Sequence, residues 1–236
     1  MSHSDQEGQL TLADGNSEKA IVLASTSPRR YELLSLTGWR LLSRPVAVDE
    51  TPDEGETAEA LAARLALAKS KKAIQAWKGG SEIILSADTV VVHQGELLGK
   101  PLDAEDARRM LNSLRGCGHR VVTAVALVSE HGGLEQEVCS TWVPMRDYAP
   151  EEVEAYLATG SAFDKAGAYG IQDKDFDPVD MNRLTGCFAN VMGMPLCHVA
   201  RAMRRVGSRA RTDIAAACQH HTKYRCPVYR EILGAE

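Results

Sequence analysis

The stretch Ala20-Ile21-Val22-Leu23-Ala24-Ser25-Thr26-Ser27-Pro28-Arg29-Arg30 decides how this chain is read. Its five leading apolar residues are too few for a helix of their own and suit a short buried strand. Ser25, Thr26 and Ser27 break the run. Pro28 then opens a helix well, because its missing N–H is one that a helix start leaves unpaired anyway. The spacing predicts a strand, a tight loop and a helix that runs to Thr37 and closes at Gly38. Such a junction aims unpaired backbone N–H groups and the positive end of the helix dipole at one place, which favours an anion. Arg29 and Arg30 add planar forks of donors matched to phosphate oxygens. The loop lacks the glycines of a P-loop, and helix capping is the simpler use of its hydroxyls.

Working outward, Trp39 to Val48 reads as a second strand, followed by an acidic loop from Asp49 to Glu56 broken by Pro52 and Gly55. An Ala-rich helix covers Thr57 to Trp77. Glu82 to Ala87 and Val90 to His93 read as separate strands, and Gln94-Gly95 turns the chain into Glu96 to Leu98. Ala104 to Leu114 is helical. Val121 to Ser129 and Leu134 to Val143 form a hairpin across His131-Gly132-Gly133. Pro150 to Thr159 and Pro195 to Val206 are helices introduced by proline, with a loop-rich span from Gly160 to Gly193 between them. Strands alternating with helices, interrupted by hairpins, define an α/β chain: a mixed twisted sheet flanked by helices, in two lobes with a central cleft. The expected boundaries are a disordered polar leader over 1–19, a two-lobed domain over 20–206 and a basic extension over 207–236.

The 236 residues are enough for a real core, and 44% hydrophobic with 25% charged is ordinary globular composition. Lys and Arg number 27 against 32 Asp and Glu, a net charge of -5 that argues against a dedicated nucleic-acid binder. The charge is uneven. From Arg201 to Glu236 eight basic residues face three acidic ones, which reads as a solvated basic helix face. Six scattered cysteines lack the density of a secreted disulfide scaffold, so a reduced, cytoplasmic setting is expected. The polar N-terminus has no signal-peptide character and no apolar run could span a bilayer, so no membrane role is expected.

Asp88 follows the apolar run Ile83-Ile84-Leu85, and acidic residues at strand ends are where cleft chemistry of α/β proteins sits; a turn role competes. Asp49 and Glu50 end a strand in the same reading. One carboxylate from each place could share a divalent metal with substrate phosphates. Lys69 lies four residues after Leu65 and eight after Leu61, on the inward stripe of its helix, where snorkelling competes with function. Lys100 is flanked by Gly99 and Pro101, which make a turn. Cys218, His220, His221 and Cys226 fit no standard zinc module and read as a surface helix end with free thiols.

Taken together these segments resemble the Maf family of nucleotide pyrophosphatases, from about Ile21 to Val206. The likeness rests on Leu23-Ala24-Ser25-Thr26-Ser27-Pro28-Arg29-Arg30, on Ser86-Ala87-Asp88-Thr89-Val90 with Leu98-Gly99-Lys100-Pro101, and on Gly116 and His119 with Thr123-Ala124-Val125. Asp164-Lys165-Ala166-Gly167-Ala168-Tyr169-Gly170-Ile171-Gln172 and Asn190-Val191-Met192-Gly193-Met194-Pro195-Leu196 complete the series. The resemblance implies a fold like that of inosine triphosphate pyrophosphatases. It also implies hydrolysis of a nucleoside triphosphate to the monophosphate and pyrophosphate with Mg²⁺ or Mn²⁺, as a house-cleaning activity, and a homodimer at the family level.

By the same resemblance Asp88 is the general base or metal-linked activator of water and Glu50 a metal ligand. Ser25, Arg29 and Arg30 hold phosphates with Lys69 and Lys100. The form ending in Gln172 resembles the branch acting on dTTP and UTP, in which Arg29, Thr89 and Gln172 help to set specificity. The family usually continues after Gln172 with Gly and an apolar strand, whereas this chain has the acidic Asp173-Lys174-Asp175-Phe176-Asp177-Pro178. A nucleotide-binding regulator linked to cell division, with incidental hydrolysis, is the rival reading.

Overall fold

A computed structural model describes residues 20–78, 82–129 and 133–234. The leader expected over 1–19 and most of the turn expected at His131-Gly132-Gly133 lie outside them. Strand β1 (Ile21–Leu23) leads through a loop into helix α1 (Pro28–Ser35), with Pro28 in its first turn and Ser27 as N-cap. Strand β2 (Leu41–Ser43) and helix α2 (Ala58–Ala76) follow, then β3 (Ile83–His93), β4 (Glu96–Leu98) and α3 (Ala104–Leu114). The long strands β5 (Gly118–Ser129) and β6 (Leu134–Pro144) precede α4 (Pro150–Ala158), two single 3-10 turns, and the short α5 (Phe188–Val191). Helices α6 (Leu196–Arg205), α7 (Ile214–Thr222) and α8 (Tyr229–Leu233) complete the order.

The strands form one mixed sheet in the order β2-β1-β3-β5-β6, with β4 added to β3. β1 is parallel to β2 and β3, while β3, β5 and β6 are antiparallel neighbours. Side chains alternate across β3, so Ile83, Leu85, Ala87 and Val91 join the larger core with α1, α3, α4 and α6. Ile84, Ser86 and Val90 face α2, whose Leu61, Ala62, Leu65 and Ala66 cover Val122, Ala124 and Ala126 of β5. The sheet is thus flanked by helices on both faces, as expected.

The feature that makes the cleft is a gap along β3. One side of β3 pairs with β5 from Ile83 to Val92. The other side pairs with β1 only through Leu85, extended by a bond from Ala24 N–H to the Leu85 carbonyl, and with β4 only from Val91 onward. Between Ser86 and Val90 that edge has no strand partner among the described residues. The β1 to α1 loop peels away at this point, and its residues line a cavity with Asp88 and Thr89.

Three expectations are corrected. β3 is one strand of 11 residues and not two. Asp88 and Thr89, which fall between the two expected strands, stay in the ladder opposite Ala124 and Thr123, because long pairing with β5 overrides the poor strand preference of Asp88. The strand expected over Trp39 to Val48 is only Leu41–Ser43, since Pro45 has no N–H to continue it. Asp49 and Glu50 therefore sit in an extended loop and not at a strand end.

The basic extension also does more than trail from the surface. Ile214 and Ala215 are buried, Trp39 donates its indole N–H to the Arg209 carbonyl at 2.9 Å, and Tyr224 donates to the Leu184 carbonyl at 2.9 Å. Cys218 packs with Phe188 and Tyr224 around a small apolar cavity, so it belongs to the core margin and not to a surface helix end.

Candidate active site

The cleft at the β3 gap is a cavity of about 340 Å³. All nine residues singled out from the sequence line it: Ser25, Arg29, Arg30, Glu50, Lys69, Asp88, Thr89, Lys100 and Gln172. Period-two geometry splits its central pair between two layers. Asp88 points to the α2 side and Thr89 to the α1 side, although both come from one exposed stretch of edge.

On the α2 side the Lys69 ammonium donates to Asp88 Oδ1 at 2.5 Å and to Glu50 Oε1 at 2.6 Å. Lys69 reaches this point because it continues the buried stripe of α2. The side chains of Lys69 and Asp88 are 10% and 9% exposed, whereas that of Glu50 is 52% exposed, so the bridge runs from the interior to the cleft mouth. Burial raises the pKa of Asp88 above the usual carboxylate value, and the charges of Lys69 and Arg30 only partly oppose it. For Glu50 burial also pushes upward, but the hydrogen bond and charge of Lys69, with Lys100 and Arg30, outweigh it, and the net shift is downward. Two carboxylates on one ammonium with pKa values pushed apart are suited to different tasks, one to take a proton and one to stay charged.

On the α1 side Arg30 Nε donates to the Gly193 carbonyl at 3.0 Å and Arg30 Nη2 to Thr89 Oγ1 at 3.0 Å. Gly193 has φ +94°, and an added Cβ would come within 3.0 Å of Thr89 Oγ1 and 3.3 Å of Arg30 Nε, so only glycine allows this fork to close. Thr89 shares a hydrogen bond with Thr123, which donates to the Asn190 carbonyl. The Asn190 amide in turn donates to the Val121 carbonyl and to Thr141. This buried network fixes one wall. Ser25 Oγ accepts from the Ser27 N–H at 3.1 Å, and Ser27 caps α1, so the loop hydroxyls serve first to shape the loop.

Sequence reasoning named Asp164 and Lys165 only as part of a motif, yet both line the cavity. Arg29 reaches across the cleft to Asp164 Oδ2 at 2.8 Å. The buried Lys165 ammonium lies 2.8 Å from Asp164 Oδ1 and 3.2 Å from Asp173 Oδ2. Tyr169, also lining the cavity, shares a 2.8 Å hydrogen bond with His119 Nε2. Burial, with His93 nearby, holds the His119 pKa down to about 3, so that imidazole is neutral. The signal for Asp164 and Lys165 was an acid-base dipeptide placed just before a glycine-rich turn.

Arg29, Arg30, Lys69, Lys100 and Lys165 thus face Glu50, Asp88 and Asp164, a surplus of positive charge around the cavity. Among the described residues no group of three or more His, Cys, Asp or Glu is placed to hold a metal ion by itself, and no helix is long and apolar enough to cross a membrane. The Cys218 to Cys226 span accordingly offers no zinc centre among the described residues.

Fold and site define an α/β protein with a cationic cleft built around a buried carboxylate-lysine pair. The chain belongs to the Maf family: the family described as Maf-like protein matches residues 20–206. Curated relatives named dTTP/UTP pyrophosphatase include one from Geotalea uraniireducens, 45% identical over 189 residues and covering 80% of this chain and 95% of the relative. Another, from Thermomicrobium roseum, is 44% identical over 187 residues, with 79% and 84% covered. A solved structure of the Staphylococcus aureus Ham1 protein matches with a TM-score of 0.43 and 15% identity, over 68% of this chain and 80% of that one.

Proposed function

We propose that this protein hydrolyses nucleoside triphosphates bearing thymine or uracil between the α- and β-phosphates, releasing the monophosphate and pyrophosphate. The observation that carries the reading is the Asp88-Lys69-Glu50 bridge, buried at Asp88 and Lys69 and reaching the mouth at Glu50, in a cleft whose walls are cationic. The names of the relatives and the family match support the same activity. Arg29, Arg30 and Lys100, with the N–H groups at the start of α1, receive the phosphate oxygens and spread the charge that develops on the leaving pyrophosphate. Asp88, a stronger base than a solvent-exposed carboxylate, takes the proton of the attacking water as its oxygen bonds to phosphorus and the bond to the bridging oxygen breaks. Lys69 holds Asp88 in place and keeps the buried carboxylate ionised.

A divalent metal fits the donor set. Glu50 and Asp88 already converge on one cation, and Mg²⁺ or Mn²⁺ takes one or two carboxylates with waters and phosphate oxygens. When bound there it neutralises phosphate charge and helps to order the reacting groups. The six free cysteines among the described residues support a reducing, cytoplasmic setting.

The test is pyrophosphate release from a panel of canonical and modified nucleoside triphosphates, with Mg²⁺ and with Mn²⁺. Selective turnover of dTTP and UTP is expected. Tight triphosphate binding without pyrophosphate release overturns the reading in favour of a nucleotide-sensing role.

A further inference from the structure

Asp173 stands where this chain departs from the family pattern, directly after the glutamine that faces the cavity. Its carboxylate is fixed at both oxygens. Oδ2 accepts from the Tyr156 hydroxyl at 2.6 Å and lies 3.2 Å from Lys165 Nζ, while Oδ1 accepts from Gln172 Nε2 at 2.7 Å. The segment that follows cannot drift from this position, because Phe176 is buried and stacks on Tyr156 at 4.6 Å between ring centroids. Gly170 makes room for the pair: a Cβ there would lie 2.6 Å from both Asp173 Oδ1 and Gln172 Nε2.

A carboxylate only accepts hydrogen bonds, so it settles which way round the neighbouring carboxamide stands. With Nε2 against Asp173, Oε1 is turned away from it. Flipping the amide would set two acceptors 2.7 Å apart inside a partly buried site. We infer that Asp173 is a positioning residue that locks the Gln172 amide in the sense that reads the imide edge of thymine and uracil, N–H at N3 beside a carbonyl, and rejects cytosine, which presents an acceptor at N3.

The inference rests on the activity proposed above and deepens it. In the locked sense Oε1 accepts from the N3–H of the base and the second Nε2 hydrogen donates to a ring carbonyl. Cytosine would need the flipped amide. Gln172 is thus held by a strut that runs through Asp173 to the Lys165 ammonium and the Tyr156 hydroxyl.

Pyrophosphate release with the full-length protein tests this on dTTP, UTP, dCTP and UTP methylated at N3. Asp173→Asn keeps the shape but accepts either amide sense, so the ratio of kcat/KM for dTTP over dCTP is expected to fall about tenfold, the effect of one hydrogen bond. Tyr156→Phe leaves the contact of Gln172 with Asp173 intact and is expected to keep the ratio. In the unmodified protein the N3-methylated substrate is expected to lose at least about tenfold against UTP.

An unchanged dTTP to dCTP ratio in a folded Asp173→Asn protein overturns the inference. So does equal turnover of UTP and its N3-methyl form, an arm that needs no variant to fold. Turnover of dTTP with either result leaves the proposed activity standing, whereas no release from any nucleotide removes that activity and the inference with it.

Discussion

Replacing Lys69 by methionine keeps the apolar stem of the side chain and deletes the charge that bridges Asp88 and Glu50. Asp88 is then a carboxylate with 9% side-chain exposure that has lost its 2.5 Å partner. It must either remain charged or take up a proton. At pH 7 protonation of a carboxyl with an ordinary pKa near 4 costs about 4 kcal/mol, at 1.36 kcal/mol per unit, which sets the ceiling on the loss. Arg30 still attracts Asp88, so we expect a loss of about 2 to 4 kcal/mol at pH 7, overlapping the roughly 3 to 5 kcal/mol typical of breaking a buried ion pair.

The loss has a definite pH dependence. The folded pKa of Asp88 is raised, and losing Lys69 raises it further. The folded state then holds a proton that the unfolded state has released, and stability falls as pH rises from 3.8 through the folded pKa. Glu50 acts in the same direction. Its lowered pKa contributes stability above its unfolded value, and most of the opposing pull that lowers it comes from Lys69. Urea unfolding of Lys69→Met and the parent at pH 5 and at pH 7.5 is expected to show a stability difference larger at the higher pH by about 1 to 2 kcal/mol. An equal difference at both pH values would refute the coupling of Lys69 to a buried charged Asp88.

Other expectations follow from the same geometry. Asp88→Asn should lower kcat for pyrophosphate release by about 10²-fold or more, and a loss under about tenfold would remove Asp88 from the role of base. In the parent the acidic limb of kcat/KM should lie above the pH range of an ordinary aspartate, because Asp88 must be ionised to act and its pKa is raised by burial. Arg30→Lys cannot reach both the Gly193 carbonyl and Thr89, so kcat/KM should drop about tenfold or more with little change in melting temperature. Truncation after Val206 uncovers Trp39 and removes the buried Ile214 side chain, which should destabilise the fold by at least about 2 kcal/mol in urea.

Much of the site was legible because its signals are local. The strand, hydroxyl loop and Pro28 helix start are set by residues within a few positions of each other, and Lys69 was placed by its spacing from Leu61 and Leu65 along one helix. What failed depended on distant partners. Asp88 and Thr89 look like a strand break in isolation, and only the pairing of β3 with Ala124 and Thr123 of β5 carries the strand through them. The docking of the basic extension was hidden for a similar reason: the carbonyl that receives the Trp39 indole lies 170 positions away in sequence, and Ile214 is buried in a core assembled from many elements.

That misreading bears on the chemistry. Had Asp88 ended its strand, it would sit on a loop, solvated and free to move. Within an unbroken ladder its backbone is held by β5 on one side, while the other side opens to the cleft because β1 stops at Leu23, opposite Leu85, and antiparallel β4 ends at Leu98, opposite Val91. A rigid strand with one short stretch of open edge therefore delivers two adjacent residues to opposite layers. Asp88 goes to a lysine whose charge opposes the effect of its burial, and Thr89 to an arginine that lines the cavity. The proposed base and the proposed phosphate-binding cation are thus fixed relative to each other by a single peptide unit, which is the kind of preorganisation that lets fixed charges act on a transition state without reorganising.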